Sequence, residues 1–144
     1  MYSKNILNRF QNLQNVGLIK NASISSEVKD EETNALLRVY LNIEDDVITE
    51  AKFKCFGNIL TTVTSDVLCD ILIDEDINGI AELEVPDILS VIGEIDADKV
   101  YIIEFVLSIT KELAKDYAKK LEKEQKEREK LEKELLENKN KNKE

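Results

Sequence analysis

The chain has 144 residues, 42% of them hydrophobic, with a formal net charge of −10, two cysteines, no histidine and no tryptophan. That length suits one domain with room for an appendage, and a core large enough to fold without staples. The missing histidine excludes Ser-His and Cys-His catalysis, and two cysteines 14 positions apart do not suggest a zinc site.

In chain order, Ser3 is placed to cap a short helix carrying Ile6, Leu7, Phe10 and Leu13, which ends near Gly17. Ser23–Val28 alternates as a first strand, and Lys29–Asn34 is a polar, acidic loop. Ala35–Ile43 alternates with Leu37, Val39, Leu41 and Ile43 on one side. Glu44-Asp45-Asp46 is a turn. Val47–Phe56 then alternates again, with Thr49, Ala51, Phe53 and Cys55 set against Glu50, Lys52 and Lys54. This predicts an antiparallel hairpin with one buried face. Gly57 breaks the strand, Asn58 sits where an N-cap belongs, and Ile59, Val63, Val67 and Ile71 mark an amphipathic helix. A short helical piece over Ile77–Leu83 and a Pro86–Ile92 helix stopped by Gly93 follow. From about Asp98 no glycine or proline interrupts a helical pattern. The class is α+β: an N-terminal helix, a three-stranded antiparallel meander, helices packed on one face, and a long C-terminal helix.

The last helix has two regimes. Val100–Leu121 is rich in apolar residues and is expected to pack on the sheet. Glu122–Glu144 is nearly all Lys, Glu and Asn, with disorder expected over Asn138–Glu144. The expected division is 1–121 for the domain and 122–144 for a charged helical extension. A 3-4 spacing runs through Leu107, Thr110, Ala114, Tyr117, Leu121, Glu124, Arg128, Leu131 and Leu135. With Glu124 and Arg128 charged, it reads first as a solvated helix, and second as a partner-binding or self-associating one.

Residues 115–144 hold 11 basic and 9 acidic side chains, which leaves 9 basic and 21 acidic in residues 1–114. A body of net −12 disfavours nucleic acid. No apolar run is long enough for a membrane span or a secretory signal, so the expectation is a cytoplasmic protein in a reducing compartment. The acidic residues cluster in turns and define no catalytic dyad, so no enzyme is expected.

Met1-Tyr2-Ser3-Lys4, Asn15-Val16-Gly17, Val39-Tyr40-Leu41 with Ile43-Glu44-Asp45, Ala51-Lys52-Phe53-Lys54 and Phe56-Gly57 closely resemble the NifU N-terminal/IscU family of iron–sulfur cluster assembly scaffolds. Lys99-Val100 and Asp116-Tyr117 resemble its final helix, so the resemblance spans roughly residues 1–120. It implies a 2Fe-2S cluster held by three cysteines and an aspartate, commonly with a histidine. It places those positions at Thr33, Ala35, Asn58, Tyr101 and Ile102, where none of the ligands is kept. The family's Pro-Pro segment before the last helix is replaced by Asp96-Ala97, with Lys99 kept, and its Gly-Asn-Pro approach by Lys29–Glu32.

Clusters are held by thiolates, which these positions lack. Asn58 has a sufficient reason as a cap. The residual thiols do not replace the ligands: Cys55 shares parity with the core, and Cys69, off the helix stripe, is expected to be the more exposed. The first expectation is therefore a scaffold-like adaptor or regulator without a cofactor, binding a cysteine desulfurase or another scaffold subunit. The alternatives are a genuine iron or cluster role through dimerisation or recruited residues, and an interaction module acting through the C-terminal helix.

Overall fold

The computed structural model describes residues 2–142. Helix α1 (Lys4–Gln11) starts at Ser3, whose hydroxyl accepts from the Ile6 N–H. Strands β1 (Ile24–Lys29), β2 (Leu36–Glu44) and β3 (Val47–Phe56) form an antiparallel sheet in the order β1-β2-β3. Leu37, Val39 and Leu41 on β2 and Ala51 and Phe53 on β3 are buried on its inner face. Asp45 and Asp46 both have positive φ (51° and 64°), the two-residue turn whose twist matches that of the paired strands.

Near that turn the alternation is interrupted. Asn42 pairs with Glu50 but Ile43 pairs with Ile48, so Thr49 is an extra residue in β3. The bulge reverses the facing of the strand's first residues. Ile48 is buried and Thr49 is exposed, where uninterrupted alternation put Thr49 with the core. The free edge of β3 is covered at both ends. Val16 bridges Phe53 in parallel, and Asp76 bridges Val47 antiparallel.

Helix α2 (Ile59–Leu72) lies between the sheet, α1, α3 (Val85–Ile92) and α4 (Val100–Asn142). Because it has neighbours on nearly all sides, it is not the one-faced helix the sequence suggested. Thr61, Thr64, Ser65 and Asp66 are buried along with Val63, Val67 and Leu68. Cys69 is buried for the same reason, which corrects its expected exposure. Cys55 is only half-buried, near the open end of the sheet, rather than enclosed in the core.

Asp66 is a fully buried carboxylate with every partner accounted for. One oxygen accepts from Arg9 Nε at 2.9 Å, the other from the backbone N–H groups of Gln14 (3.0 Å) and Asn15 (2.8 Å). Arg9 also pairs with Asp70, and Asn15 Nδ2 donates to Asp66 O and Asp70 Oδ1. Burial opposes the Arg9 charge, but the bonds to Asp70 and Asp66 outweigh it and raise the Arg9 pKa. The Asn15-Val16-Gly17 segment is thus pinned to α2 and, through Phe53, to the sheet.

Helix α4 runs from the core into solvent. Ile103, Val106, Ile109, Leu113 and Tyr117 are buried, and every described residue from Ala118 to Asn142 is exposed. Residues 138–142, expected to be disordered, are helical. The rest of that segment, Lys143 and Glu144, lies outside the described residues. No helix among the described residues is long and apolar enough to cross a membrane.

Three bonds fix α4 before it leaves the body. Ser26 Oγ donates to Asp116 Oδ2 at 2.6 Å, Lys120 Nζ to Ser23 O, and Tyr117 Oη to Asp46 Oδ1 at 2.8 Å. Burial, and then the Asp46 carboxylate, push the Tyr117 pKa up to about 12. A raised folded-state pKa contributes stability below the ordinary tyrosine value of about 10 that is lost as the pH rises through the folded value. Stability is therefore expected to fall between about pH 10 and about pH 12, read by urea denaturation. Tyr117→Phe should remove that alkaline step. An identical alkaline profile in the variant would contradict the assignment.

Candidate functional site

The Phe56-Gly57-Asn58 corner closes one side of a small cavity of about 210 Å³. Its walls come from the β1–β2 loop, the start of α2 and the first turns of α4. They bring together all five sequence positions singled out above: Thr33, Ala35, Asn58, Tyr101 and Ile102. Asp30, Gly57, Thr61 and Phe105 complete the lining.

Each wall has a local cause. The β1–β2 loop is organised by Asp30, whose carboxylate accepts from Glu32 N–H (3.0 Å) and Thr33 Oγ1 (2.9 Å). Asn34 takes a left-handed φ of 61° to close the loop, and Asp30 N–H donates to Ala35 O at 2.8 Å. At the corner, Asn58 Oδ1 accepts from both Thr61 N–H (2.9 Å) and Thr61 Oγ1 (3.0 Å). This is the N-cap the sequence predicted. Gly57 is required by the same contact, since a Cβ there would lie 2.9 Å from the Thr61 side chain. On α4, Tyr101 is half out in solvent, whereas Ile102 turns inward and is buried.

The donors in this cavity are thus neutral hydroxyls and an amide, most of them bonded to one another, with one carboxylate held by its own loop. Neither thiol lines it. Cys55 faces α2, with Sγ 3.2 Å from Thr62 Oγ1. Burial raises its pKa, and the Thr62 bond offsets only part of that rise. Cys69 is enclosed in the core, where burial and then the Asp66 and Asp70 charges push its pKa well above the usual thiol value. Both are protonated thiols at neutral pH rather than thiolates. Among the described residues no group of three or more Cys, His, Asp or Glu side chains converges as a metal-binding cluster.

Three lining residues escape the sequence reading: Asp30, Thr61 and Phe105. Asp30 was taken as part of a solvated acidic run, yet its carboxylate shapes the loop and holds Thr33. Phe105 stands one helical turn after Tyr101, a spacing that could have placed both on the same face.

An antiparallel meander with helices on one face, and a cavity where the strand-to-helix corner meets the last helix, define an α+β domain. The chain belongs to the family of the NifU-like N terminal domain, whose model matches residues 1–124. It is 26% identical over 120 residues to the iron–sulfur cluster assembly scaffold proteins IscU 1 and IscU 2 of Archaeoglobus fulgidus. In each case the match covers 83% of this chain and 78% of the relative.

Its fold is similar to that of a protein assigned as an iron–sulfur cluster assembly scaffold for the SUF system, from Fervidobacterium islandicum AW-1. The TM-score is 0.62 at 16% identity, covering 76% of this chain and 93% of that one. It is also similar to the N-terminal part of a nitrogen-fixing NifU-like protein from Brucella abortus. There the TM-score is 0.53 at 18% identity, covering 78% and 79% of the two chains. At these identities the structural likeness speaks for the fold.

Proposed function

We propose that this chain is a scaffold-like member of its family that has lost the cluster ligands and acts as a non-catalytic adaptor or regulator of iron–sulfur cluster assembly. In this reading residues 1–121 are the scaffold-like domain, 122–144 are an extension, and the setting is cytoplasmic. The cavity lining carries the proposal. Cluster iron is held by thiolates, and Thr33 and Asn58 present neutral oxygens while Ala35 and Ile102 present no donor. The residues do not fit a cluster as cargo, and no step through one is derived.

Asn58 further supports this reading. A helix N-terminus favours a thiolate, but here the same position is occupied by a cap whose oxygen is already used twice. The chain's partner in this reading is a cysteine desulfurase or another scaffold subunit, bound without transfer of sulfur.

The test uses the full chain and a purified cysteine desulfurase from the same organism. Calorimetry is expected to register a complex. The intact mass of this chain should stay unchanged after incubation with the desulfurase and free cysteine, because neither thiol is an accessible thiolate. Absence of a complex would overturn the desulfurase-adaptor reading. A sulfur-sized mass gain on Cys55 or Cys69 would overturn the reading of the thiols as inert.

A further inference from the structure

Beyond Lys120, whose Nζ reaches Ser23 O, no contact of helix α4 with the body is found among the described residues, and the 22 residues 121–142 project for about 33 Å at 1.5 Å each. Its side chains are nevertheless sorted. The face that packs Thr110, Leu113 and Tyr117 into the body continues outward as Leu121, Glu124, Arg128, Leu131 and Leu135. The three leucines are 43%, 57% and 57% exposed. On the opposite side, Lys115, Lys119, Lys123, Lys126, Lys130 and Lys133 follow one another at three- and four-residue steps. A seam with leucines at both ends and, Lys120 apart, lysines on the far side is the pattern of a helix that meets another helix.

We infer that the occupant of this seam is the same segment of a second copy of this chain, lying antiparallel. The two charged seam positions decide the orientation. In a parallel pair each position faces its own equivalent, which sets Glu124 against Glu124 and Arg128 against Arg128. In the antiparallel register that opposes Leu121 to Leu131 of the second copy, Glu124 falls opposite Arg128, twice over. Beside the seam, Lys120 then faces Glu134 of the second copy, also twice. Gln125 meets its own equivalent near the two-fold axis. Glu127 also meets its equivalent there, a single like-charge contact.

Because the same face is already packed into the body at Thr110, Leu113 and Tyr117, the paired seam spans residues 121–131, and the tip of each helix splays past it alongside the base of the other. The described tip carries Lys139 and Lys141 and no acidic residue after Glu137. At the base, Asp46 accepts from Tyr117, and the bridge between Val47 and Asp76 gathers Asp74, Glu75 and Asp76 beside the exposed Asp45. The acidic body, net −12 over residues 1–114, and the basic tip are thus matched across the pair rather than within one chain. The interface is isologous and closes as a two-fold dimer.

The experiment is light scattering after size exclusion on the full chain, with circular dichroism confirming that every variant is folded. The wild type should show twice the 16.5 kDa chain mass and dissociate on dilution. Glu124→Arg and Arg128→Glu should each give a monomer, since each sets like charges in the seam. An equimolar mixture of the two variants should recover the doubled mass, because one carries two positive and the other two negative seam positions. On oxidation Gln125→Cys should cross-link and Leu121→Cys should not. A wild type monomeric at every concentration, single variants that stay dimeric, a mixture that stays monomeric, or Leu121→Cys cross-linking as readily as Gln125→Cys would each overturn the inference.

Discussion

Asp66→Ala is expected to destabilise the domain by about 3 kcal/mol or more, the range in which removing one partner of a buried ion pair falls. The residue is 0% exposed, and its loss takes the acceptor from the backbone N–H groups of Gln14 and Asn15 and from Arg9 Nε, leaving the Arg9 guanidinium with Asp70 alone. Neither backbone group has another hydrogen-bond partner among the described residues, and Asn15 is buried, where an unmade hydrogen bond is costly in its own right. The damage should spread to the Asn15–Gly17 segment, which covers the edge of β3 at Phe53. Asp66→Asn keeps an acceptor oxygen for the backbone but loses the charge pair, so it should fall between the alanine variant and the wild type. Urea denaturation of the three proteins checks this. A cost under about 1 kcal/mol for Asp66→Ala would mean that the network is not a structural staple.

The second large effect is a gain. The variant Thr33→Cys, Ala35→Asp, Asn58→Cys, Ile102→Cys is expected to acquire stoichiometric iron and a visible cluster absorbance on anaerobic reconstitution. All four positions line the same cavity, and Asn58 stands at the first turn of α2, where a thiolate is stabilised. The cost is modest: the Asn58 cap is worth about 1 kcal/mol, and Ile102→Cys trims a buried side chain. The framework loses the Asn58 cap on Thr61 N–H and the Thr33 Oγ1 bond from Ala35 N–H, but keeps the Asp30 N–H to Ala35 O closure of the loop and the close approach of Gly57 to Thr61. A folded variant that binds no iron would mean that the cavity's geometry, and not only its side chains, has left the family's chemistry.

The sheet and the site were legible in the sequence to different depths and for different reasons. Alternation over Ala35–Ile43 and from Ala51 onward identified the hairpin, because one face is buried and the other is not. It failed at Thr49, since a bulge adds one residue without changing composition. Helix α2 was legible as a helix from its Asn58 cap and apolar spacing. Its burial on nearly all sides was not, because Thr61, Thr64, Ser65 and Asp66 are polar residues that composition alone does not assign to an interior. That misreading is why Cys69 was expected to be exposed, whereas Cys55 keeps the expected parity and is only half-buried because it lies near the open end of the sheet. The five positions that meet at the cavity come from three separated stretches, so no local pattern joins them. The family resemblance placed them individually, and only the fold brings them together. Asp30 and Asp66 show the limit most plainly: a carboxylate in an acidic run and one in a buried helix look alike until their hydrogen-bond partners are known.

In the function proposed for this chain, cluster chemistry ended with Thr33, Asn58 and Ile102. Anaerobic reconstitution of the wild-type chain with iron and sulfide, followed by desalting, absorbance and metal analysis, tests it most directly. A colourless protein without stoichiometric iron is the predicted result. A chromophore or stoichiometric iron retained by the wild type, above all one lost on replacing Cys55 or Cys69, would contradict it.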